Sequence, residues 1–185
     1  MILTDREIQI AVEGEAITTD PRPQALAYSS TSLDLTLDPR ITVFKAPTGG
    51  IEVALDPTHP SFHPEASLGG LTENLVMDAA GYLLHRNVLM LAWTKELVEL
   101  KLQSRFAARV EGKSSLARLG IGVHITASTI HAGFRGQIRL AMINHGCVPV
   151  RLREGMRICQ LIFEQSLGTP ARGYKGMFAP QGAAA

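Results

Sequence analysis

The residues best suited to chemistry lie between Glu111 and Gly146, in EGKSSLARLGIGVHITASTIHAGFRGQIRLAMINHG. Two hydroxyl residues, Ser114 and Ser115, follow Lys113 and precede Arg118, and Gly112 and Gly120 bracket them where a tight backbone is needed. This is a phosphate-binding vocabulary. Hydroxyls and backbone N–H groups donate to phosphate oxygens, Lys113 supplies a compact charge, and Arg118 offers a planar fork suited to bidentate contact. The same residues also fit an ordinary turn entering a short helix.

These groups must be held by the elements around them. Thr4-Asp5-Arg6-Glu7 reads as a capping box, with Ile8, Ala11 and Val12 on one apolar face, so a short helix opens the chain. Gly14 and the DPRP stretch (20–23) end it, and TSLDLTL (31–37) then alternates as a half-buried strand does, which places Asp34 on an outer polar face. ITVF (41–44) and IEVAL (51–55) read as two short β-rich runs parted by the turn residues Pro47-Thr48-Gly49-Gly50. Residues 56–70, rich in Pro, His, Ser and Gly, read as a surface excursion. His59 and His63 have the spacing of helical metal ligands, but Pro60 between them breaks such a helix, so the expectation is a solvated loop. Further short apolar runs follow: LVMD (75–78), GYLLHRNVLMLAWTKELVEL (81–100), RFAARVEG (105–112), VPVRL (148–152) and RICQLIF (157–163). The last two are joined by a turn at Glu154-Gly155. Many short strands and no long amphipathic helix predict a mainly β chain, an antiparallel jelly roll or distorted barrel.

Length and composition bound the partners. The chain has 185 residues, 45% hydrophobic and 19% charged, enough for one compact unit with a sizeable core. No internal repeat or domain boundary is visible, so residues 1–185 read as one domain. The Gly-, Pro- and Ala-rich end, residues 170–185, forms a tail or lid. A net charge of +1 gives no reason to expect a nucleic-acid polymer. A small anion held by a few local cations needs no such surplus. Cys147 and Cys159 sit in apolar stretches and read as buried free thiols of a reducing compartment. With no signal peptide and no apolar run long enough to span a bilayer, the expectation is a cytoplasmic protein without a membrane partner.

The order GKSSLARLG, VHITA, an FRG turn and an alternating strand ending in Asn-His-Gly resembles the core motif of the dCTP deaminase and dUTPase superfamily. The resemblance runs from MILTDREI through SSTSLDLTLD (29–38) to YKGMFAPQG (174–182), and its outer segments favour the dCTP deaminase branch. It implies a dUTPase-like distorted β-barrel with a short N-terminal helix, a homotrimer with sites between chains, and conversion of dCTP to dUTP and ammonia. It also implies a substrate set of Lys113, Ser114, Ser115, Arg118, His131, Arg139 and Gln160, with Tyr174 and Gln181 reaching the nucleotide from a C-terminal lid. Ser114 and Arg118 would assist catalysis. Mg²⁺ would be carried on the phosphates, so no carboxylate cluster is needed. The zinc-deaminase signature H-x-E…P-C-x-x-C is absent, so the expected chemistry is zinc-independent.

One position departs from the family. Its general base and acid is a glutamate directly after Leu140, and here that residue is Ala141. Alanine can neither take nor give a proton, and general acid–base catalysis is worth roughly 10² to 10⁴ in rate. Ala141 is compatible with an inactivating substitution, a natural non-deaminating relative, or a dUTPase-like pyrophosphohydrolase acting on dUTP or dCTP. We read the chain as an impaired deaminase. A non-catalytic regulatory protein binding dCTP, dUTP or dTTP would use the same pocket. His131 bears on these alternatives, because the family's usual residue there is aspartate. Histidine could bond the sugar hydroxyl, act as a base near neutral pH, or serve only as a turn residue. Met177 replaces a common phosphate-contacting lysine, which leaves more of that charge to Lys113 and Lys175.

Overall fold

The computed structural model describes residues 1–45, 54–124 and 126–173. The chain opens with helix α1 (Asp5–Glu13), which starts at the expected capping box and ends at Gly14. The Thr4 backbone N–H donates to Glu7 Oε2 at 2.9 Å, and Thr4 Oγ1 donates to the same carboxylate. Ile8, Ala11 and Val12 are buried, the face that helical spacing selected. Leu3 N–H donates to the Phe163 carbonyl at 3.0 Å, which pins the N-terminus to the end of the last strand.

Short strands β1 (Ile17–Asp20) and β2 (Tyr28–Ser29) lead to the long strand β3 (Ser32–Phe44). A five-residue helix, α2 (Pro64–Leu68), precedes β4 (Thr72–Val76), β5 (Tyr82–Leu84) and β6 (Leu89–Leu100). After β7 (Phe106–Gly112) comes the short helix α3 (Ser114–Ala117), then β8 (Ile121–Val123) and β9 (Thr129–Ile130). The chain continues through β10 (Arg135–Asn144), β11 (Val150–Leu152) and β12 (Arg157–Gln165). All pairings among the described strands are antiparallel. The main path runs β8-β10-β6-β3-β12-β7-β9, with β1 on β6, β2 and β4 on β3, and a separate β11-β5 pair. This is the expected mainly β, distorted-barrel class with a short N-terminal helix.

Strand β3 joins two halves of the molecule. Its first half, Leu33–Thr36, pairs with β12, and its second half pairs with β6 at Leu37 and again from Ile41, and with β4 from Arg40. The β6 register shifts between Leu37 and Ile41, so extra residues of β3 bulge out at Asp38-Pro39-Arg40. Pro39 is tolerated there because a bulge frees the chain from the ladder. The Asp38 carboxylate closes the bend by accepting from Arg40 N–H at 2.9 Å and Arg40 Nε at 2.7 Å. Burial alone would raise the Asp38 pKa, but these Arg40 bonds hold it below the ordinary value. TSLDLTL and ITVF are therefore one strand, not two. The IEVAL run falls largely outside the described residues.

Three further expectations are corrected. Asp34 does not face solvent; it is 6% exposed. Its alternating neighbours Leu33 and Leu35 are buried too, because the first half of β3 is covered on both faces. Cys147 is exposed in the turn before β11, while Cys159 is buried in β12, where desolvation pushes its thiol far up. The 56–70 excursion is not all loop. His63 and Pro64 start α2, with Pro64 in the first turn where its missing N–H costs nothing.

Strand β10 follows the period-2 rule throughout. Gly136, Ile138, Leu140, Met142 and Asn144 are buried, and Gln137, Arg139, Ala141 and Ile143 occupy the other, partly open face. The strand's far end is locked to the turn after α3. His145 N–H donates to the Gly120 carbonyl at 2.8 Å, and Gly120 has a left-handed φ of 86°. A Cβ on Gly120 would lie 2.2 Å from the Gly146 nitrogen. Gly120→Ala is expected to cost about 2–4 kcal/mol, combining left-handed strain with a backbone clash, measured as ΔΔG by chemical unfolding.

Candidate active site

The open face of β10 forms one wall of a cavity of about 900 Å³. Ile138, Arg139 and Ala141 line it together with Leu91 of the neighbouring strand β6. Pro64, Glu65 and Leu68 of α2 close it from one side, and His124, His131 and Phe134 from the other. The period-2 alternation of β10 puts Arg139 and Ala141 on one face, and they share this cavity. The sequence reading did not anticipate that α2 would cover it, because the helix is one turn long and shows no apolar periodicity.

His124 is a functional candidate that the sequence reading left unassigned. It stands in the left-handed region at φ 54°, and its backbone N–H donates to the Ala141 carbonyl at 2.7 Å. Its Nε2 lies 2.6 Å from the Ala127 carbonyl, and a carbonyl only accepts, so Nε2 carries the proton. Nδ1 is then an acceptor, and it is buried with no partner among the described residues. Desolvation pushes the imidazole below its usual pKa, against the opposing effect of the Ala127 bond. A strained, neutral histidine thus sits one hydrogen bond from Ala141. The left-handed backbone that sets His124 apart has no sequence signature on a non-glycine residue.

Arg139 supplies the cavity's cationic group. Its guanidinium lies 5.1 Å from the Trp93 ring centroid, directly across the β6–β10 pair, and Nη2 donates to Thr42 Oγ1 at 3.3 Å. Nε is buried without an acceptor among the described residues. Burial lowers the pKa of this arginine, and Glu65 on α2 partly offsets it. His131 also lines the cavity and is exposed.

The SSLAR segment lies elsewhere. Ser114 and Ser115 on α3 and Arg118 at its C-cap are exposed, and none of them lines the cavity holding Ala141. Leu116 anchors the helix as its buried residue. Lys113 does not point freely outward. Its Nζ donates to Asp34 Oδ1 at 2.5 Å, and Arg157 Nη1 approaches Asp34 Oδ2 at 3.6 Å. Gln160 is similarly engaged. Its Oε1 accepts from Ser32 Oγ at 3.0 Å and its Nε2 donates to the Gly112 carbonyl at 3.3 Å. Lys113 and Gln160, both expected to touch substrate, here fasten the α3 turn to β3 and β12. Tyr174 and Gln181, with Lys175 and Met177, lie outside the described residues. His59 and His63 are exposed, and no group of metal-ligating side chains occurs among the described residues.

Known proteins share this sequence and fold. A family model described as dCTP deaminase-like matches residues 2–166. The chain is similar to the dCTP deaminase of Shewanella oneidensis, at 38% identity over 176 residues that cover 94% of this chain and 89% of the relative. It is 35% identical over 170 residues to a "dCTP deaminase, dUMP-forming" of Methanobrevibacter smithii, covering 92% and 82%. Among solved structures, the 2'-deoxycytidine 5'-triphosphate deaminase from Agrobacterium tumefaciens matches with a TM-score of 0.67 at 22% identity. That match covers 89% of this chain and 48% of the other, so this chain spans about half its length, and the likeness is one of fold.

The depressed pKa of His124 has a pH consequence. The unfolded chain takes up a proton near the ordinary histidine value of about 6.5, whereas the folded chain resists it. Stability attached to His124 is therefore complete above that value and declines as pH falls towards the lower folded value. Between about pH 7.5 and 5.5, the melting temperature of the unmodified chain should drop further than that of His124→Asn, since asparagine tolerates positive φ but does not titrate. Thermal melts across this range check it.

Proposed function

The chain belongs to the dCTP deaminase-like family, and on that premise we propose that it binds a pyrimidine deoxynucleoside triphosphate and is a zinc-independent dCTP deaminase impaired at one step. Deamination at C4 requires a water to be deprotonated for attack, and a proton to be delivered to the ring and the departing ammonia. The observation that carries the reading is Ala141, whose side chain shares the cavity face with Arg139 and stands where an acid–base group is needed. Around it, His124 holds the strand's carbonyl and Leu91 and Phe134 limit water. These residues can position a base, but the group that would move its protons is missing.

The phosphates are assigned to Ser114, Ser115 and Arg118, with Arg118 and Ser114 assisting the chemistry. Mg²⁺ would be held by the phosphate oxygens and would neutralise their charge; the protein would add cations rather than carboxylates. Because α3 is exposed and away from the cavity of its own chain, this reading completes each site between neighbouring chains. A closed homotrimer is the arrangement that supplies such heterologous contacts. The catalytic domain extends over residues 1–185, with 170–185 as lid, and acts in the cytoplasm. A second reading, a dUTP or dCTP pyrophosphohydrolase, is favoured by His131, an exposed imidazole on the cavity wall able to activate water. A non-catalytic nucleotide-binding role would use the same contacts and release neither ammonia nor pyrophosphate.

Two experiments test the main reading. Ala141→Glu places a carboxylate between opposing influences, burial raising its pKa and Arg139 lowering it, and so able to exchange protons near neutral pH. It should raise ammonia release from dCTP by roughly 10² to 10⁴ over the unmodified chain, measured alongside a thermal melt. A folded variant that binds dCTP and releases no more ammonia would remove the deaminase reading, and pyrophosphate release abolished by His131→Ala would establish the second. Separately, Arg118→Ala should weaken Mg²⁺-dCTP binding by on the order of 1.5–3 kcal/mol by calorimetry while leaving deoxycytidine affinity unchanged.

A further inference from the structure

The two strand positions facing the cavity, Arg139 and Ala141, present a combination with its own consequence for the base. A guanidinium has five N–H donors and no acceptor. Among the described residues Arg139 uses one of them, on Thr42, at 3.3 Å, and its buried Nε–H has no partner. No ion pair with another described residue holds it. Glu65 lowers its charging cost only through space, and the Trp93 ring fixes its plane without accepting a full hydrogen bond. A half-buried donor fork left short of acceptors and kept on a cavity wall is a group built for an acceptor-bearing ligand, since an unpaired buried donor costs about 1–3 kcal/mol. Residues 139 and 141 are two positions apart on one strand face, about 7 Å, which is within the span of a pyrimidine ring and its substituents.

We infer that Arg139 makes this pocket select an oxo-pyrimidine, with a carbonyl at C4 as in uracil or thymine, over the amino-pyrimidine cytosine. The inference rests on the reading that the cavity receives the base of a deoxynucleotide. The 4-amino group of cytosine is a donor and meets donors on Arg139, whereas a 4-oxo group accepts from them. At the adjacent position a carboxylate would accept from the amino group, and Ala141 offers nothing in its place. The pocket's polar balance thus moves from accepting to donating, and the ligand it fits best is the uracil or thymine nucleotide.

The experiment compares Mg²⁺ complexes of the α,β-imido analogues of dUTP and dCTP by calorimetry, so that pyrophosphate release cannot distort affinity, with ammonia assayed in the same samples to show that the dCTP analogue stays intact. The unmodified chain should bind the dUTP analogue about five- to a hundredfold more tightly. Arg139→Gln, whose amide can accept as well as donate, should bring the two within about threefold, and Arg139→Met should weaken the dUTP analogue and leave the dCTP analogue nearly unchanged. Melting curves identify which variant is folded, and one folded variant suffices. Equal or tighter binding of the dCTP analogue by the unmodified chain overturns the inference, as does a preference for the dUTP analogue that survives in a folded variant. Failure of the unmodified chain to bind either analogue is a different outcome, and removes the nucleotide-pocket reading itself.

Discussion

One strand serves two sheets, and the rest of the structure depends on it. β3 pairs with β12 over its first half and with β4 and β6 over its second, so the two halves of the molecule cannot shift without breaking one ladder or the other. The change of partner occurs at the Asp38-Pro39-Arg40 bulge, where the Asp38 carboxylate accepts from the Arg40 backbone N–H and from its side-chain Nε–H. From that corner, β12 carries Gln160 and Arg157 towards the α3 turn, and β6 carries β10 with the cavity face. The two candidate halves of the site are thus positioned by the same strand while lying apart within one chain.

The cavity and the α3 turn differ in how their polar groups are satisfied. The cavity walls are largely apolar, with a few polar groups whose bonding is incomplete: Arg139 Nε and His124 Nδ1 are both buried without partners among the described residues. Unsatisfied polar atoms are rare in protein interiors, and two on the wall of one cavity indicate a place prepared for something else to complete. The α3 turn is the reverse, fully braced from behind and presenting exposed hydroxyls and a guanidinium outward. Bracing from behind by Asp34, Gln160 and Ser32 supports functional groups that make no contact with those residues.

Much of this was legible in the sequence, for reasons that can be named. The capping box at Thr4, the strict alternation of β10 and the turn at Glu154-Gly155 are local signals, and each formed as read. What escaped was set by tertiary context. Asp34 alternates as an outer-face residue should, but burial of both β3 faces placed it inside, paired with Lys113. TSLDLTL and ITVF looked like separate runs because Pro39 normally interrupts a ladder, and only a bulge lets the strand continue. α2 is too short for periodicity to reveal, and its sole signal was Pro64 in a first turn. The left-handed His124 had no signal. Cys147 sits in an apolar stretch of sequence, yet the turn that holds it leaves it exposed.

The pairing of Lys113 with Asp34 changes how the α3 turn, proposed above to hold phosphate, should respond to its medium. At physiological ionic strength charges on an open surface are screened beyond about 8 Å, whereas a buried pair is screened far less. The Asp34 side chain is 4% exposed and that of Lys113 22%, so this contact belongs with the second kind, and Arg118 on the open face of α3 with the first. Added electrolyte therefore erodes the attraction for an incoming anion while the scaffold behind it keeps its shape. In crowded, salt-variable surroundings the turn behaves as a fixed cup whose pull is adjustable, because the charge that shapes it and the charge that attracts are carried by different residues.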